Sequence, residues 1–336
     1  MAGMNKTMLY LNIMITGVAG FIGFHLAKKL LESGYDVVGI DNLNNYYDIL
    51  KKERLGILNE FSKFRFILLD ISDTQPLEQI FCKERPQIVV NLAAQAGVRY
   101  SIDHPRDYIN SNICGFFNIL EACRHYPVQH LVYASSSSVY GNQQKTPFSV
   151  EDKTDSPISL YAATKKSNEL MAYTYSHLYG IPATGLRFFT VYGPYGRPDM
   201  AYFKFADAIM EHRPIKIYNN GDMLRDFTYI DDIVDALEKI LPIPPTPNVE
   251  GVRHKVYNIG NHRPEKLMDF ISVLESALGY QAIKEYLPMQ PGDVYQTYAD
   301  VVELERDFRF RPKISIKEGL EKFAEWYLWW NNRGKV

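Results

Sequence analysis

Cysteine, tryptophan and net charge are all scarce in this chain of 336 residues, which has three cysteines, three tryptophans and a net charge of −2. The cysteines, Cys82, Cys114 and Cys123, form no C-x-x-C pair, which argues against a disulfide framework and favours a reducing compartment. A charge so close to zero gives no sign of a basic face for DNA or RNA, so we predict no nucleic-acid partner.

Long hydrophobic runs are missing as well. The longest apolar stretches have the length of β-strands, and the first ten residues hold one lysine and no apolar run. We therefore predict neither a membrane span nor a secretory signal, and we assign the protein to the cytoplasm. Metal-ligand spacing is also missing, so we predict no metal site. The histidines considered as ligands are His25, His130, His177 and His212.

The chain does contain short apolar strands that alternate with longer segments of helical spacing. This alternation is typical of an α/β protein with a Rossmann-type, doubly wound parallel sheet, because crossover helices bury both faces of such strands. Buried strands are predicted at 11–16, 37–40, 64–69, 87–92, 130–134 and 186–189. The length suits two domains. We predict a dinucleotide-binding domain at 8–186 and 228–262, and a smaller C-terminal substrate-binding domain at 187–227 and 263–336.

A glycine-rich turn follows the first predicted strand and opens a predicted helix. It reads Gly17-Val18-Ala19-Gly20-Phe21-Ile22-Gly23. The first glycine permits a tight turn, the second lets a pyrophosphate approach the backbone, and the third allows close packing of helix on strand. The free N–H groups and the dipole of the helix N-terminus favour the negative charge of the phosphates. The turn therefore predicts a dinucleotide site.

Asp41 closes the second predicted strand, about twenty residues beyond the turn. Its carboxylate can hold ribose hydroxyls and would repel a 2′-phosphate, so we predict NAD rather than NADP. Asp70 and Ile71 end the third strand, where they can contact adenine; alternatively, Asp70 caps the next helix together with Ser72. The remaining predicted cofactor contacts follow the second and fourth strands, and they are Asn42, Leu92, Ala93 and Ala94.

The segment Tyr161-Ala-Ala-Thr-Lys165 carries the predicted reacting groups. On a helix, residues four apart lie on one face, about 6 Å from each other. An ammonium beside a phenol lowers the pKa of the phenol, and the phenolate can then take a proton from a sugar hydroxyl. Lys165 can also bind the nicotinamide ribose. We therefore predict that Tyr161 and Lys165 are both catalytic and cofactor-binding.

A serine run, Ser135 to Ser138, follows the fifth predicted strand. It lies at the carboxyl end of the sheet, where doubly wound proteins bind their ligands. The hydroxyls of Ser136 and Ser138 could orient the substrate hydroxyl that Tyr161 deprotonates. In isolation such a run is a polar turn. Its place between the glycine turn and the Tyr161–Lys165 pair favours a site.

In this order, the motifs resemble the extended short-chain dehydrogenase/reductase family, from Leu11 to about Trp330. Several stretches are similar, within that family, to UDP-glucuronate 4-epimerases. These stretches are 94–101, 186–193, 196–201 and 289–294. The resemblance implies that Tyr161 removes the C4 hydroxyl proton of a UDP-sugar while the C4 hydride passes to bound NAD. The 4-keto sugar then turns over and receives both back, which inverts C4.

The resemblance also implies roles for substrate-binding residues. Ser136 and Ser138 match the two hydroxyl positions that orient the sugar, Arg225 matches the arginine that pairs with the diphosphate, and Thr190 matches the position near the C6 carboxylate. A bidentate guanidinium suits a diphosphate. Further candidates for substrate contacts are Arg99, Arg197 and Asp293. Members of the family are commonly homodimers, here through helices near 113–122 and 161–178.

Three alternatives stay open. A nucleotide-sugar 4,6-dehydratase or UDP-glucuronate decarboxylase starts with the same C4 oxidation, but the resembling enzymes carry an acid where this chain has Ser137 and Ser138. A 4-epimerase of neutral UDP-hexoses or N-acetylhexosamines would differ by one or two pocket contacts. A non-catalytic nucleotide-binding protein should lack Tyr161 or Lys165, and both are present.

Overall fold

The computed structural model describes residues 11–289 and 295–333, apart from the side chains of 47–49. Within these ranges the chain divides into two compact units. The first contains the chain as far as Gln143, then Val150–Phe188 and Val234–Asn258. The second contains Gln144–Ser149, Phe189–Ile233 and the chain from Ile259 onward. Each unit has its own sheet and its own hydrophobic core.

A seven-stranded sheet forms the centre of the first unit, in the order β10-β6-β5-β4-β1-β2-β3. Parallel pairing joins the six strands from β1 to β6. The strands are β1 Asn12–Thr16, β2 Asp36–Asp41, β3 Phe64–Leu68, β4 Ile88–Asn91, β5 His130–Ser136, β6 Ala183–Phe188 and β10 His254–Ile259. All six predicted strands are present, and the Rossmann-type fold predicted from the sequence is confirmed. The topological switch point of the sheet lies at β1, which pairs with β2 on one side and with β4 on the other.

Helices cover this sheet because its strands are apolar on both faces. Met14, Val89 and Leu131 of the sheet pack in one buried cluster with Phe81 and Ile119 of the helices. Burial of this apolar surface is the main force that holds the unit together. The helices of the first unit are α1 Phe21–Glu32, α2 Asp48–Leu58, α3 Thr74–Glu84, α4 Tyr100–Asp103, α5 Pro105–Tyr108, α6 Phe116–His125 and α7 Leu160–Tyr179.

One predicted helix departs from regular geometry. The segment Ile109–Gly115, which leads into α6, is a π-helix. The side chain of the buried Asn112 forms hydrogen bonds with the Gln95 backbone and the Thr164 hydroxyl rather than with solvent. Such an insertion widens the helical turn, and it often marks a functional site. Apolar spacing alone does not reveal it.

The second unit has smaller sheets around an aromatic core. Phe227 and Phe270 stack with ring centroids 4.2 Å apart, and Tyr202 meets Phe323 edge-on at 5.0 Å. The strands are β7 Thr190–Tyr192, β8 Ile215–Ile217, β9 Leu224–Tyr229, β11 Pro264–Lys266 and β12 Lys284–Tyr286. The helices are α8 Ala201–Met210, α10 Leu267–Leu278, α11 Val302–Phe308 and α12 Ile316–Arg333. A further helix, α9 Ile230–Ile240, begins in the second unit and ends in the first.

The limits of the two units differ from the predicted domain limits at four places. Residues 187–188 belong to the first unit and not to the second. Residues 228–233 and 259–262 belong to the second unit and not to the first. The short segment Gln144–Ser149 also belongs to the second unit. Its Phe148 exchanges backbone hydrogen bonds with Tyr298 and Asp300, at 2.7 and 3.0 Å. This pairing joins residues far apart in the chain, so a scan along the sequence does not detect it.

Candidate active site

The glycine turn is packed so closely that two of its positions exclude any side chain. Gly17 has a φ of +70°, and a Cβ there would lie 2.7 Å from the Ala93 nitrogen. A Cβ on Gly23 would overlap the carbonyl oxygen of Gly17. Leu92 donates its N–H to the Thr16 carbonyl at 3.1 Å, which fixes the end of β4 beside the turn. The turn thus places the start of α1 at the carboxyl edge of the sheet.

The N-terminus of α1 has the features of an anion-binding helix end. Its N-cap residue, Gly20, supplies no side-chain hydrogen bond, and no acidic residue occupies the first turn, which begins Phe21-Ile22. The amide groups and the helix dipole therefore remain available to an anionic ligand. Together with the glycine packing, this arrangement fits the pyrophosphate of a dinucleotide.

Asp41 ties the turn to the second strand. Its Oδ2 accepts the Ala19 N–H at 3.1 Å and its Oδ1 accepts the Leu43 N–H at 2.9 Å. The carboxylate is buried and keeps further lone pairs for ribose hydroxyls. This tie between the loops was not predicted. It places the carboxylate next to the glycine turn.

The next predicted cofactor residues form a small network beyond β3. Asn42 donates to Asp70 Oδ2 at 2.7 Å, while Ser72 donates both its N–H and its hydroxyl to Oδ1. Burial disfavours the carboxylate, but these bonds outweigh it and hold the pKa of Asp70 below its usual value. The N-cap of α3 is Asp73, so Asp70 forms a turn with Ser72 rather than the predicted cap.

The predicted contacts Ile71 and Ala93 differ in the groups that they can present to a cofactor. The side chain of Ile71 lies in the hydrophobic core, packed against Gly115, so only its backbone can meet an adenine. Ala93 donates its N–H to Thr16 Oγ1 at 3.2 Å, and Ala94 continues the same segment beyond β4. The ends of β2, β1 and β4 thus bring most of the predicted NAD residues to one edge.

Tyr161 and Lys165 lie in the first turns of α7. The helix is capped by Ser159, whose hydroxyl accepts the Ala162 N–H at 3.1 Å. Lys165 donates from Nζ to the Ala134 carbonyl at 3.0 Å, and Nζ lies 6.0 Å from the centroid of the Tyr161 ring. Burial lowers the pKa of Lys165 to about 8. The predicted pair therefore stands together at the end of β5.

The serine run begins at the end of β5, the strand whose Ala134 carbonyl accepts from Lys165. Ser136 is buried at the end of β5, and its Oγ accepts the hydroxyl of Ser138 at 2.9 Å and the Ser138 N–H at 3.2 Å. The Ser136 hydroxyl can still donate its own hydrogen. Tyr161 also packs edge-on against the Tyr108 ring at 6.0 Å, which orients the phenol.

Behind the serine run lies a buried ion pair that sequence reasoning missed. Glu169 accepts Arg187 Nε and Nη2, each at 2.8 Å, and also accepts the Ser135 hydroxyl at 2.6 Å. Burial disfavours the carboxylate, but the Arg187 guanidinium outweighs it and holds the pKa of Glu169 below its usual value. Tyr161, Lys165 and Glu169 are four residues apart on one helix, and this spacing was the available signal.

The predicted substrate residues lie in both units. Arg99 is exposed just before α4 in the first unit. In the second unit, Thr190 begins β7 and is half-buried, and Arg197 binds Asp199 through two nitrogens at 3.0 and 2.6 Å. Arg225, on β9, donates from Nη1 to the Leu224 and Tyr295 carbonyls, both at 2.9 Å. The remaining predicted residue, Asp293, lies outside the described residues.

In 11–289 and 295–333, no group of three or more His, Cys, Asp and Glu side chains is arranged to hold a metal ion. Over the same part of the chain, no helix combines the length and the apolar composition that crossing a bilayer requires.

The fold and the site define a class: a Rossmann-type protein with a glycine turn after β1 and a tyrosine–lysine pair beside the end of β5. The family model of the NAD dependent epimerase/dehydratase family matches residues 13–260. The chain therefore belongs to this family. The predicted relationship to extended short-chain dehydrogenases/reductases is confirmed, and so is NAD as the cofactor.

Individual proteins are similar to this chain over nearly its full length. "Protein CapI" of Staphylococcus aureus is 54% identical over 330 residues, which cover 95% of this chain and 98% of that protein. A "Probable UDP-glucuronate 4-epimerase" of Rhizobium meliloti is 46% identical over 327 residues, covering 94% and 96%. A crystal structure of the UDP-glucuronic acid 4-epimerase from Bacillus cereus, in complex with UDP-glucuronic acid and NAD, has a TM-score of 0.87 at 36% identity and covers 95% of this chain and all of that one.

Proposed function

We propose that this chain is a UDP-glucuronate 4-epimerase, which interconverts UDP-glucuronate and UDP-galacturonate. One observation carries the proposal. The chain joins the Tyr161–Lys165 pair to a hydroxyl-lined strand end beside a dinucleotide turn, in a sequence similar over 94–95% of its length to proteins bearing that name. NAD, when bound, supplies a reversible acceptor for the C4 hydride. The other steps belong to the residues of the chain.

Tyr161 is the proposed base and acid. Its phenolate takes the proton of the C4 hydroxyl when the ring is oxidised at C4, and the phenol returns it after the ketone presents its other face. Lys165 favours the phenolate by its charge, because an ammonium nearby lowers the pKa of a phenol. A bound pyrophosphate and a phenolate would in turn favour the charged form of Lys165.

The serine hydroxyls are proposed to orient the sugar. Ser136 is held by Ser138, so a hydroxyl donor is fixed at the end of β5 before substrate arrives. The run from Ser135 to Tyr140 offers hydroxyl groups and no carboxyl group. An elimination at C5 and C6 needs an acid and a base there, so this composition supports epimerisation over dehydration.

The second unit is proposed to hold the UDP-sugar. Arg225 is held in place by two backbone carbonyls that accept from its Nη1, and a guanidinium held in this way suits paired hydrogen bonds to a diphosphate. Thr190 is proposed to bind the C6 carboxylate, and Arg197 is proposed to contact the substrate next to its partner Asp199. Arg99 and Asp293 complete the proposed substrate residues.

The product of UDP-glucuronate tests this proposal. Without added reductant, the protein is expected to form UDP-galacturonate and to reach an equilibrium mixture of the two sugars, since the reaction neither gains nor loses electrons overall. Product identity can be read by NMR of the C4 proton. UDP-xylose formed from UDP-glucuronate would assign the chain to a decarboxylase, and a 4-keto-6-deoxy sugar formed from UDP-glucose would assign it to a dehydratase. Turnover of UDP-glucose but not UDP-glucuronate would assign it to neutral sugars.

We further propose that the enzyme is a homodimer through α6 and α7. These neighbouring helices expose large apolar side chains, with Phe117 45%, Leu170 58% and Leu178 59% exposed. A second copy of the same face would bury them by two-fold symmetry. Sedimentation equilibrium is expected to give twice the 38.7 kDa mass of one chain, and Leu170→Glu is expected to give monomers. A monomeric wild-type protein at micromolar concentration would refute this proposal.

A further inference from the structure

Two tyrosines connect loops that leave the sheet on either side of β1. Tyr46 lies beyond β2, and Tyr100 opens α4 beyond β4. Their ring centroids are 4.6 Å apart, with the planes inclined by 50°. Tyr100 lies in the stretch 94–101, but neither tyrosine is among the predicted site residues.

The sheet order places the two loops on either side of the strand that the glycine turn follows. β1 lies between β4 and β2, and the three strands are parallel, so their carboxyl ends share one edge. Neighbouring strands are about 4.8 Å apart, so β2 and β4 are about 10 Å apart. Loops that leave these two strands and meet must therefore cross the carboxyl end of β1. The turn that begins at Gly17 follows β1 directly, so a pyrophosphate held by this turn would lie at the same edge of the sheet as the contact.

The base of the Tyr46 loop is tied down close to the ring. Asn44 donates its N–H to Asn42 Oδ1 at 3.1 Å, and Lys51 of α2 donates from Nζ to the Asn44 carbonyl at 2.8 Å. Lys51 is buried. The loop therefore has a fixed base, and Tyr46 extends from it towards Tyr100.

Tyr100 rests on a rigid aromatic platform. Its ring stacks on His104 with centroids 4.1 Å apart and planes inclined by 17°, and it also meets Tyr108 at 6.3 Å. Tyr108 is fully buried and donates its hydroxyl to the Ala96 carbonyl at 3.0 Å. The same Tyr108 packs against Tyr161. Tyr100 is thus the fixed half of the contact.

We propose that Tyr46 and Tyr100 form a clasp that retains NAD. In its closed form the ring contact holds the two loops together across the pyrophosphate, so NAD leaves only after the rings separate. An enzyme that regenerates its NAD in every turnover gains nothing from releasing it. The proposal rests on the NAD site of the proposed function and is independent of which sugar is the substrate.

The rate of NAD release tests the clasp. Holoenzyme without sugar nucleotide is mixed with alcohol dehydrogenase and ethanol, which convert released NAD to NADH and report it at 340 nm. Tyr46→Ala and Tyr100→Ala are each expected to raise the release rate about tenfold, which corresponds to about 1.4 kcal/mol. Tyr46→Phe and Tyr100→Phe should keep the wild-type rate, because the contact requires the rings and not the hydroxyls.

The double variant separates a clasp from two unrelated losses. Because both substitutions break one contact, Tyr46→Ala/Tyr100→Ala should release NAD about as fast as either single variant. Tyr280→Ala, an exposed ring in the second unit, is the matched control and should not change the rate. If Tyr100→Ala fails to fold, Tyr46→Ala alone decides the matter. Wild-type release from Tyr46→Ala, or multiplied effects in the double variant, would overturn the clasp. Failure on UDP-glucuronate would leave this result unaffected.

Discussion

Tyr161→Phe is expected to lower kcat for UDP-glucuronate about a thousandfold while NAD stays bound. The substitution removes the one hydroxyl proposed to exchange a proton with O4, and positioned acid–base groups typically contribute 10²- to 10⁴-fold. The phenyl ring can keep its edge-on contact with Tyr108. Lys165 can keep its bond to the Ala134 carbonyl. Steady-state kinetics give kcat, and the absorbance of cofactor released on denaturation gives the NAD content.

Tyr173→Phe is the matched control for this substitution. Tyr173 lies on the same helix and donates its hydroxyl to Glu250 at the surface, at 2.8 Å. Its loss should leave kcat within about twofold, since surface substitutions are usually mild. A Tyr161→Phe protein that keeps near-normal kcat would remove Tyr161 from the acid–base role. A loss of kcat accompanied by loss of NAD would instead indicate a structural defect.

Lys165→Met is expected to have two effects of opposite sign. It should lower kcat at least a hundredfold, because the charge that favours the Tyr161 phenolate is gone. It should also stabilise the NAD-free protein at pH 7. Burial lowers the pKa of Lys165 from 10.5 to about 8, so charging this side chain costs folding free energy. The penalty is at most about 3 kcal/mol, and the lost bond to Ala134 offsets about 1 kcal/mol of the gain.

The pH dependence of this stabilisation has a definite direction. Between pH 8 and 10.5 the folded state binds fewer protons at Lys165 than the unfolded state, so the wild type gains stability as pH rises through this window. Below pH 8 the penalty is present in full. The advantage of Lys165→Met should therefore be largest at pH 7 and fade towards pH 10.5.

Urea unfolding of NAD-free protein at pH 7 and pH 10 measures this difference. Lys204→Met, which removes an exposed lysine of α8, is the control and should show little change at either pH. A Lys165→Met variant that is less stable than the wild type at pH 7 would contradict the burial penalty. An advantage that does not change with pH would assign the effect to packing instead.

The predicted site residues that the structure brings close together are those whose chemistry lies in one short motif or at a strand end. The Gly17 turn and the Tyr161–Lys165 pair are local patterns, and their positions follow once the strands are located. Asp41 follows from the rule that ligands bind at the carboxyl ends of parallel strands. Such features need no knowledge of which distant segments meet.

The residues that were missed depend on contacts between distant segments. In the sequence, Glu169 looks like any other position on its helix, and only the structure shows that it pairs with Arg187 of β6. In the sequence, Asn112 looks like an ordinary polar residue of a helix, and only the structure shows that it accepts the Gln95 N–H. The second unit recruits Gln144–Ser149 by pairing with a segment much later in the chain. No local spacing encodes these partners.

The fate of the hydrogen at C4 tests the proposed reaction most directly. The protein is incubated with UDP-glucuronate deuterated at C4 in ordinary water, and the UDP-galacturonate formed is examined by mass spectrometry and NMR. Transfer to bound NAD and back predicts that the deuterium is retained at C4. Its replacement by hydrogen from water would show that C4 is inverted by deprotonation, and would contradict the redox cycle in which Tyr161 handles only the hydroxyl proton.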